Sequence, residues 1–286
     1  MRTICANSQM RAYVRAASGT VGLVPTMGAF HAGHHALIRA ARERCDVVVV
    51  SLFVNPAQFD EASDLEAYPR DEARDAGEAA ALGVDVLYAP SVDEVYPDGF
   101  ATSVRVAGLS DVFEGAERGP GHFAGVCTVV TKLLNLVGPD VAFFGQKDAQ
   151  QVAVLRRMVR DLAVPVELHV VPTVREPDGL ALSSRNVRLA PDERSRALSL
   201  SRALRAAEAA VADGERDAAA VARAARAAMN GVDPEYLAVV DPDSFAPVQT
   251  VDGRVLVAVA ARIGATRLID NTIVHTAATP GGASTT

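Results

Sequence analysis

The sequence predicts an α/β protein: a parallel sheet covered by helices on both faces, followed by a smaller part of different texture. Three observations point there. Residues 46–54 are a near-continuous apolar run of strand length, the pattern of a strand buried on both faces. Strand-like and helix-like segments alternate through the first half, as a sheet built from βαβ units requires. After about residue 175 the chain turns alanine-rich before strands return.

The elements follow in order. Residues 21–24 form a short apolar strand ending at Pro25, and 33–44 a helix with Leu37, Ile38 and Ala41 on one face. After the 46–54 strand, residues 71–82 read as a helix closed by Gly83, and 84–88 as a strand. Residues 122–137 are helical and 141–144 extended. Residues 148–162 place Gln151, Leu155, Met158 and Leu162 at helical spacing, and 166–171 are again β-branched. A boundary falls near 172–176. Beyond it the pattern predicts helices over 191–212 and 215–229, broken at Gly214, then strands over 236–240 and 255–260, with Ile273 closing the last apolar segment. Residues 277–286, small and polar, are expected to be a disordered tail.

Composition excludes several function classes. With 28 basic and 35 acidic residues the net charge is −7, against a nucleic-acid or polybasic membrane binder. No apolar run approaches the ~18–20 residues that span a bilayer, and residues 1–15 lack the apolar region of a signal peptide. Cys5, Cys45 and Cys127 have neither paired nor metal-like spacing and are expected to be reduced, buried thiols of a cytoplasmic protein. Among the basic residues only Lys132 and Lys147 are lysines; arginine is used everywhere else.

Four segments at or near strand ends carry chemistry. Pro25-Thr26-Met27-Gly28-Ala29-Phe30-His31-Ala32-Gly33-His34 joins the first strand to the first helix. Its glycines permit a tight turn, the helix N-terminus offers N–H groups to an anion, and two imidazoles three positions apart can add donors to the same phosphate. Phe144-Gly145-Gln146-Lys147-Asp148 supplies a mobile charge for a phosphate; Asp148 either caps the next helix or holds a metal-bound water. Leu182-Ser183-Ser184-Arg185-Asn186 offers hydroxyls and a guanidinium, a weak signal taken alone. In Val54-Asn55-Pro56-Ala57-Gln58-Phe59, Gln58 can orient a hydroxyl or carboxylate, or be a surface loop amide. Together these suit a nucleoside triphosphate and charge developing at phosphorus. No Walker loop or dinucleotide fingerprint occurs.

These residues also carry a family resemblance. VPTMGAFHAGH, SLFVNPAQF, the YPR at Tyr68, GHFAGVCTVVTKLLNLVGPDVAFFGQKDAQQ and VREPDGLALSSRN run in order from Val24 to Asn186, and together they resemble the pantothenate synthetase, or pantoate–β-alanine ligase, family. The HxGH segment alone indicates only the wider group of nucleotidyltransferase-like enzymes. FVNPAQF and GQKDAQQ argue against another nucleotidyltransferase. The presence of His31, His34, Lys147 and Arg185 argues against a non-catalytic nucleotide-binding protein.

The resemblance implies a Rossmann-like nucleotidyltransferase domain over 1–174 that binds ATP and pantoate, and a smaller α+β C-terminal lid domain over 175–276. It implies ATP contacts from Met27, Gly28, Ala29, Phe30, His31, Ala32, Gly33, His34, Lys132, Gly145, Gln146, Lys147, Asp148, Val174, Leu182, Ser183, Ser184 and Arg185, with His34 the catalytic proton donor beside His31, Lys147 and Arg185. Gln58 and Gln151 match glutamines that hold pantoate, Gln58 also lying near β-alanine, and Tyr68 joins them as a substrate residue. The implied reaction is attack of the pantoate carboxylate on the α-phosphorus of ATP, then of the β-alanine amine on pantoyl adenylate. Mg²⁺ is expected on the phosphates with no protein ligand identified, and a homodimer is the family precedent. His35, Ala149 and Leu182 depart from the common pattern, and the Arg-Pro-Gly-His of the family carries one extra residue here, over Arg118 to His122.

Overall fold

The computed structural model describes residues 1–59 and 62–276; the expected tail over 277–286 lies outside the described residues. The chain divides into two compact units, residues 1–146 with 150–174, and residues 147–149 with the described chain from Arg175 onward.

Up to residue 174 the elements are β1 (Arg2–Ile4), α1 (Asn7–Ala16), β2 (Val21–Thr26), α2 (Ala32–Arg44), β3 (Val47–Leu52), α3 (Ala62–Glu66), α4 (Glu72–Ala81), β4 (Val86–Tyr88), α5 (Val92–Val95), α6 (Glu114–Arg118), α7 (Pro120–Val137), β5 (Val141–Gly145), α8 (Ala149–Asp161) and β6 (Glu167–Val171). The strands form one sheet in the order β1-β4-β3-β2-β5-β6, every pair parallel. The order reverses between β2 and β5. Such a switch point opens a crevice beyond the carboxyl ends of the two strands, where ligands of open α/β sheets bind. Val48, Val49 and Val50 of β3 are fully buried, as their β-branched run implies. α2 turns Ile38 and Ala41 into a core with Val24, Phe30, Val50 and Phe143. Gly22 makes this packing possible, because a Cβ there would sit 2.8 Å from Cys45 Sγ.

The second unit sets α9 (Pro191–Ala212) and α10 (Ala218–Ala227) against an antiparallel sheet of order β7-β8-β9, formed by Tyr236–Val240, Arg254–Ile263 and Thr266–His275. Leu200, Leu204, Val211, Val221, Val257 and Ile263 form its core. The α/β class with a smaller α+β part is therefore what the chain forms.

Differences from expectation have local causes. Arg2–Ile4 is a strand only because it pairs with β4, Arg2 opposite Val86, and α1 is anchored by one fully buried side chain, Met10. β4 starts at Val86 rather than 84, although the main chain of Asp85 already accepts Arg2 N–H at 2.8 Å and donates to Val48 C=O at 3.0 Å; its side chain accepts Val48 N–H at 2.8 Å and Arg42 at 2.7 Å. The helix expected from 215 starts at Ala218, where Asp217 caps it through Ala219 N–H. β8 and β9 outrun the expected apolar stretches because they form one long hairpin turned at Gly264, φ 57°. Cys45 and Cys127 are buried, but Cys5 is exposed, a correction. Burial holds the Cys127 thiol up at about 12 and raises that of Cys45, so both stay protonated.

Candidate active site

At the carboxyl end of β2, Thr26 donates from Oγ1 to Ser51 C=O at 2.6 Å and accepts Gly28 N–H at 3.3 Å, turning the chain out of the sheet. Gly28 and Ala29 then take left-handed conformations, φ 87° and 53°. His31 is the N-cap of α2: its Nδ1 accepts Gly33 N–H at 3.1 Å, while His34 Nδ1 accepts His31 N–H at 3.3 Å. This is a capping box made of two imidazoles instead of a hydroxyl and a carboxylate. Because Nδ1 is an acceptor in both rings, the neutral form of each carries its proton on Nε2. The rings lie 4.1 Å apart at 35°. Phe30, 2% exposed, belongs to the core, and its side chain is turned away from solvent.

At the end of β3, a 3₁₀ turn over Pro56–Gln58 presents Gln58. Asn55, 1% exposed, organises it. Its Nδ2 donates to Gln58 Oε1 at 3.0 Å and to Gly125 C=O at 3.2 Å, while its Oδ1 accepts the Tyr96 hydroxyl at 2.7 Å. Burial pushes the Tyr96 phenol up to about 12, so it remains a donor. With Gln58 Oε1 occupied, the amide turns its NH₂ outward, where Nε2 lies 3.0 Å from Met27 Sδ. His122 Nδ1 meets the Gln58 carbonyl at 3.0 Å. Tyr68 packs edge-on against Phe59 at 5.7 Å, and Arg70 donates to the Leu65 and Tyr68 carbonyls at 2.7 and 3.0 Å. Lys132 on α7 places Nζ 4.7 Å from the centre of the Phe100 ring.

Gly145 ends β5, and Gln146–Asp148 is a 3₁₀ turn rather than the start of the helix; α8 begins one residue later than expected, at Ala149. Two adjacent glutamines on α8 differ in environment. Gln150 is buried, with Nε2 on the Leu109 and Val112 carbonyls and Oε1 on Glu114 N–H, whereas Gln151 is half-buried.

In the second unit, Lys147 has a side chain 19% exposed with Nζ 4.0 Å from Asp148 Oδ1, and its carbonyl accepts Asn271 Nδ2 at 2.9 Å. Ser183 caps the turn Ser184–Arg188 through Arg185 N–H at 3.3 Å. Asn186 holds that turn from within, donating to Glu176 at 2.6 Å and to Ala181 C=O at 3.0 Å. Arg175 makes a two-pronged pair with the buried Asp270, at 2.6 and 3.1 Å. Leu182 and Val174 are half-buried and Ser184 and Arg185 exposed.

The structure thus places Met27, Gln58 and the two histidines in one unit around the ends of β2 and β3. Sequence reading takes in Asn55, His122 and Gly125 within motifs but gives them no individual role, and it passes over Tyr96 and Asn271. One signal was available: a glycine inside a helical pattern, as Gly125 is, often marks close backbone approach.

The pantoate–β-alanine ligase family profile matches residues 2–273. The chain belongs to the pantoate–β-alanine ligase family. Relatives named pantothenate synthetase include that of Moorella thermoacetica, 51% identical over 96% of this chain and 98% of its own length. That of Rhizorhabdus wittichii is 54% identical over 93% and 95%. The Thermus thermophilus pantothenate synthetase crystal structure is 48% identical and superposes with a TM-score of 0.90, covering 96% of this chain and all of that one. A Francisella tularensis pantoate–β-alanine ligase, solved with β-γ ATP and β-alanine, is 34% identical with a TM-score of 0.75 over 96% and 97% of the two chains.

Proposed function

We propose that the chain condenses pantoate with β-alanine at the expense of ATP. The pantoate carboxylate oxygen bonds to the α-phosphorus and pyrophosphate leaves. The β-alanine amine then bonds to the acyl carbon, AMP leaves, and the amine loses a proton. The observation that carries this reading is the imidazole capping box at the head of α2, which fixes both rings with their N–H on Nε2. Donors held in this way, aimed at phosphate oxygens, stabilise the charge that develops on them. No enzyme nucleophile is needed, because the substrate brings its own; the protein aligns and neutralises.

His34 is assigned as the proton donor, with His31, Lys147 and Arg185 sharing the phosphate charge. Further ATP contacts are assigned to residues 27–33, Lys132, Gly145, Gln146, Asp148, Val174 and 182–184. Gln58, Gln151 and Tyr68 are assigned to pantoate and β-alanine. Mg²⁺ fits as an ion carried by the triphosphate: among the described residues no three His, Cys, Asp or Glu side chains come together as a cage, and Mg²⁺ keeps phosphate and water ligands by preference. Bound there, it would neutralise phosphate charge, with Asp148 assigned to hold one of its waters. The enzyme is proposed to act in the cytoplasm as a homodimer; among the described residues no helix is long and apolar enough to cross a membrane.

The test is sequential. Pyrophosphate release is expected to require pantoate, and AMP release to require β-alanine in addition; pyrophosphate release indifferent to pantoate refutes the reading. Gln58→Ala is expected to raise KM for pantoate by ~10-fold or more, the scale of a lost hydrogen bond to a charged group, with the KM for ATP changing less. Equal losses for both substrates would count against the assigned role. Lys132→Arg and Lys147→Arg are each expected to lower kcat by ~10-fold, because a planar fork does not replace a compact ammonium on a flexible stem. Wild-type turnover in both would reduce the two lysines to an accident of composition.

A further inference from the structure

We propose that Asp75 is a positioning residue for nucleotide activation, its carboxylate clamping the turn that leads into His31 and His34. The proposal rests on the reading of residues 27–34 as an ATP-binding segment. Asp75 lies on α4 and is 1% exposed. Its Oδ2 accepts Ala29 N–H at 2.8 Å and its Oδ1 accepts Phe30 N–H at 2.8 Å. Two consecutive main-chain donors thus meet the two oxygens of one carboxylate, in hydrogen bonds of the strong, charge-assisted kind.

A buried carboxylate is costly unless its lone pairs are satisfied. Here it stands where an irregular turn leaves main-chain N–H groups that must find acceptors. That turn needs holding: Ala29 is a residue with a Cβ in the left-handed region, at φ 53°. The neighbouring glycine completes the fit, since a Cβ on Gly28 would lie 2.8 Å from Asp75 Oδ2 and 2.7 Å from Leu52 Cδ1. α4 adds further holds. Arg74 donates from Nη2 to Phe30 C=O at 3.3 Å and from Nε to Glu78 at 2.8 Å, and Glu78 meets His35 Nε2 at 2.7 Å. The helix therefore grips both main-chain groups of Phe30, the N–H of Ala29 and the first turns of α2. A turn held this way is ordered before ATP arrives, so binding does not spend free energy ordering it. Asp75 acts through His31 and His34 and is not itself a catalytic residue.

Asp75→Asn keeps the shape but sets an NH₂ donor against one of the two main-chain N–H groups. The KM for ATP in pantoate-dependent pyrophosphate release is expected to rise ~10-fold or more and kcat to fall, with the KM for pantoate within about twofold. Adding Ala29→Gly to Asp75→Asn is expected to recover at least ~3-fold of the KM for ATP, because glycine takes the left-handed conformation without the steric strain that a Cβ adds. A purely architectural Asp75 would lower the thermal midpoint with no split between substrates and no such rescue. A wild-type KM for ATP in folded Asp75→Asn overturns the proposal. Amide hydrogen exchange on the unaltered, nucleotide-free protein tests the clamp without any variant: Ala29 and Phe30 are expected to be protected, and exchange at exposed-loop rates overturns it. Failure of the functional reading has a different signature, with no pantoate-dependent pyrophosphate from the unaltered protein while the two amides stay protected.

Discussion

His34→Ala is expected to lower pantoate-dependent pyrophosphate release by ~10²–10³-fold, the scale of losing one donor aimed at developing charge. The structure adds a complication and its remedy. His34 also accepts His31 N–H at 3.3 Å, so alanine removes part of the α2 cap together with the imidazole. Losing a cap costs ~1 kcal/mol, enough to lower the thermal midpoint. Glutamine at the same helical position is a known capping partner. His34→Gln is therefore expected to restore the midpoint and leave the rate as low as in the alanine variant. Stopped-flow or coupled pyrophosphate assays beside thermal melts separate the two effects. Near-normal turnover in His34→Gln would sink the catalytic assignment.

Gly125→Ala has the second large effect, and it acts from a distance in sequence. Gly125 lies in α7, where alanine is ordinarily worth ~1 kcal/mol more than glycine. Here its Cβ would fall 2.1 Å from Ala57 C=O and 2.7 Å from Gln58 N. Neither atom belongs to a flexible side chain, so the Pro56–Gln58 turn must move. The move breaks the Asn55 link to Gly125 C=O and carries Gln58 away from its place. Displacement of a substrate-orienting group by about 1 Å can cost ~10²-fold, and kcat/KM for pantoate is expected to fall by that order. The KM for ATP changes less. Unaltered pantoate kinetics would show that the turn and its glutamine are not coupled to substrate.

The origins of these effects were unequally legible in the sequence. β3 could be read outright because four consecutive valines have no other comfortable place than a doubly covered strand. The histidine segment could be read because a turn, a helix start and two imidazoles are all local. Asp75 could not: one aspartate in an acidic helical stretch looks like solvated surface, and its partners lie 46 and 45 residues away. Asn271 has the same character, a polar residue in a strand whose partner, Lys147, lies 124 residues earlier. β1 and α1 were missed because their apolar content is slight and pairing with β4 supplies the reason for order. Chemistry written in neighbouring residues is visible in sequence; support supplied by a distant element becomes visible only in the fold.

The attachment of residues 147–149 to the second unit has a consequence for how such enzymes exchange parts. The chain passes from one unit to the other three times, at 146/147, 149/150 and 174/175. A chimera that joined the first 174 residues of one relative to the remainder of another would give Lys147 from one ancestor an Asn271 from the other. Because Lys147 takes part through its main-chain carbonyl, the hydrogen bond survives only where the incoming part carries asparagine at 271. The unit of inheritance that keeps Lys147 with its support is a discontinuous one, a three-residue insert together with the C-terminal part, which a single crossover cannot transfer.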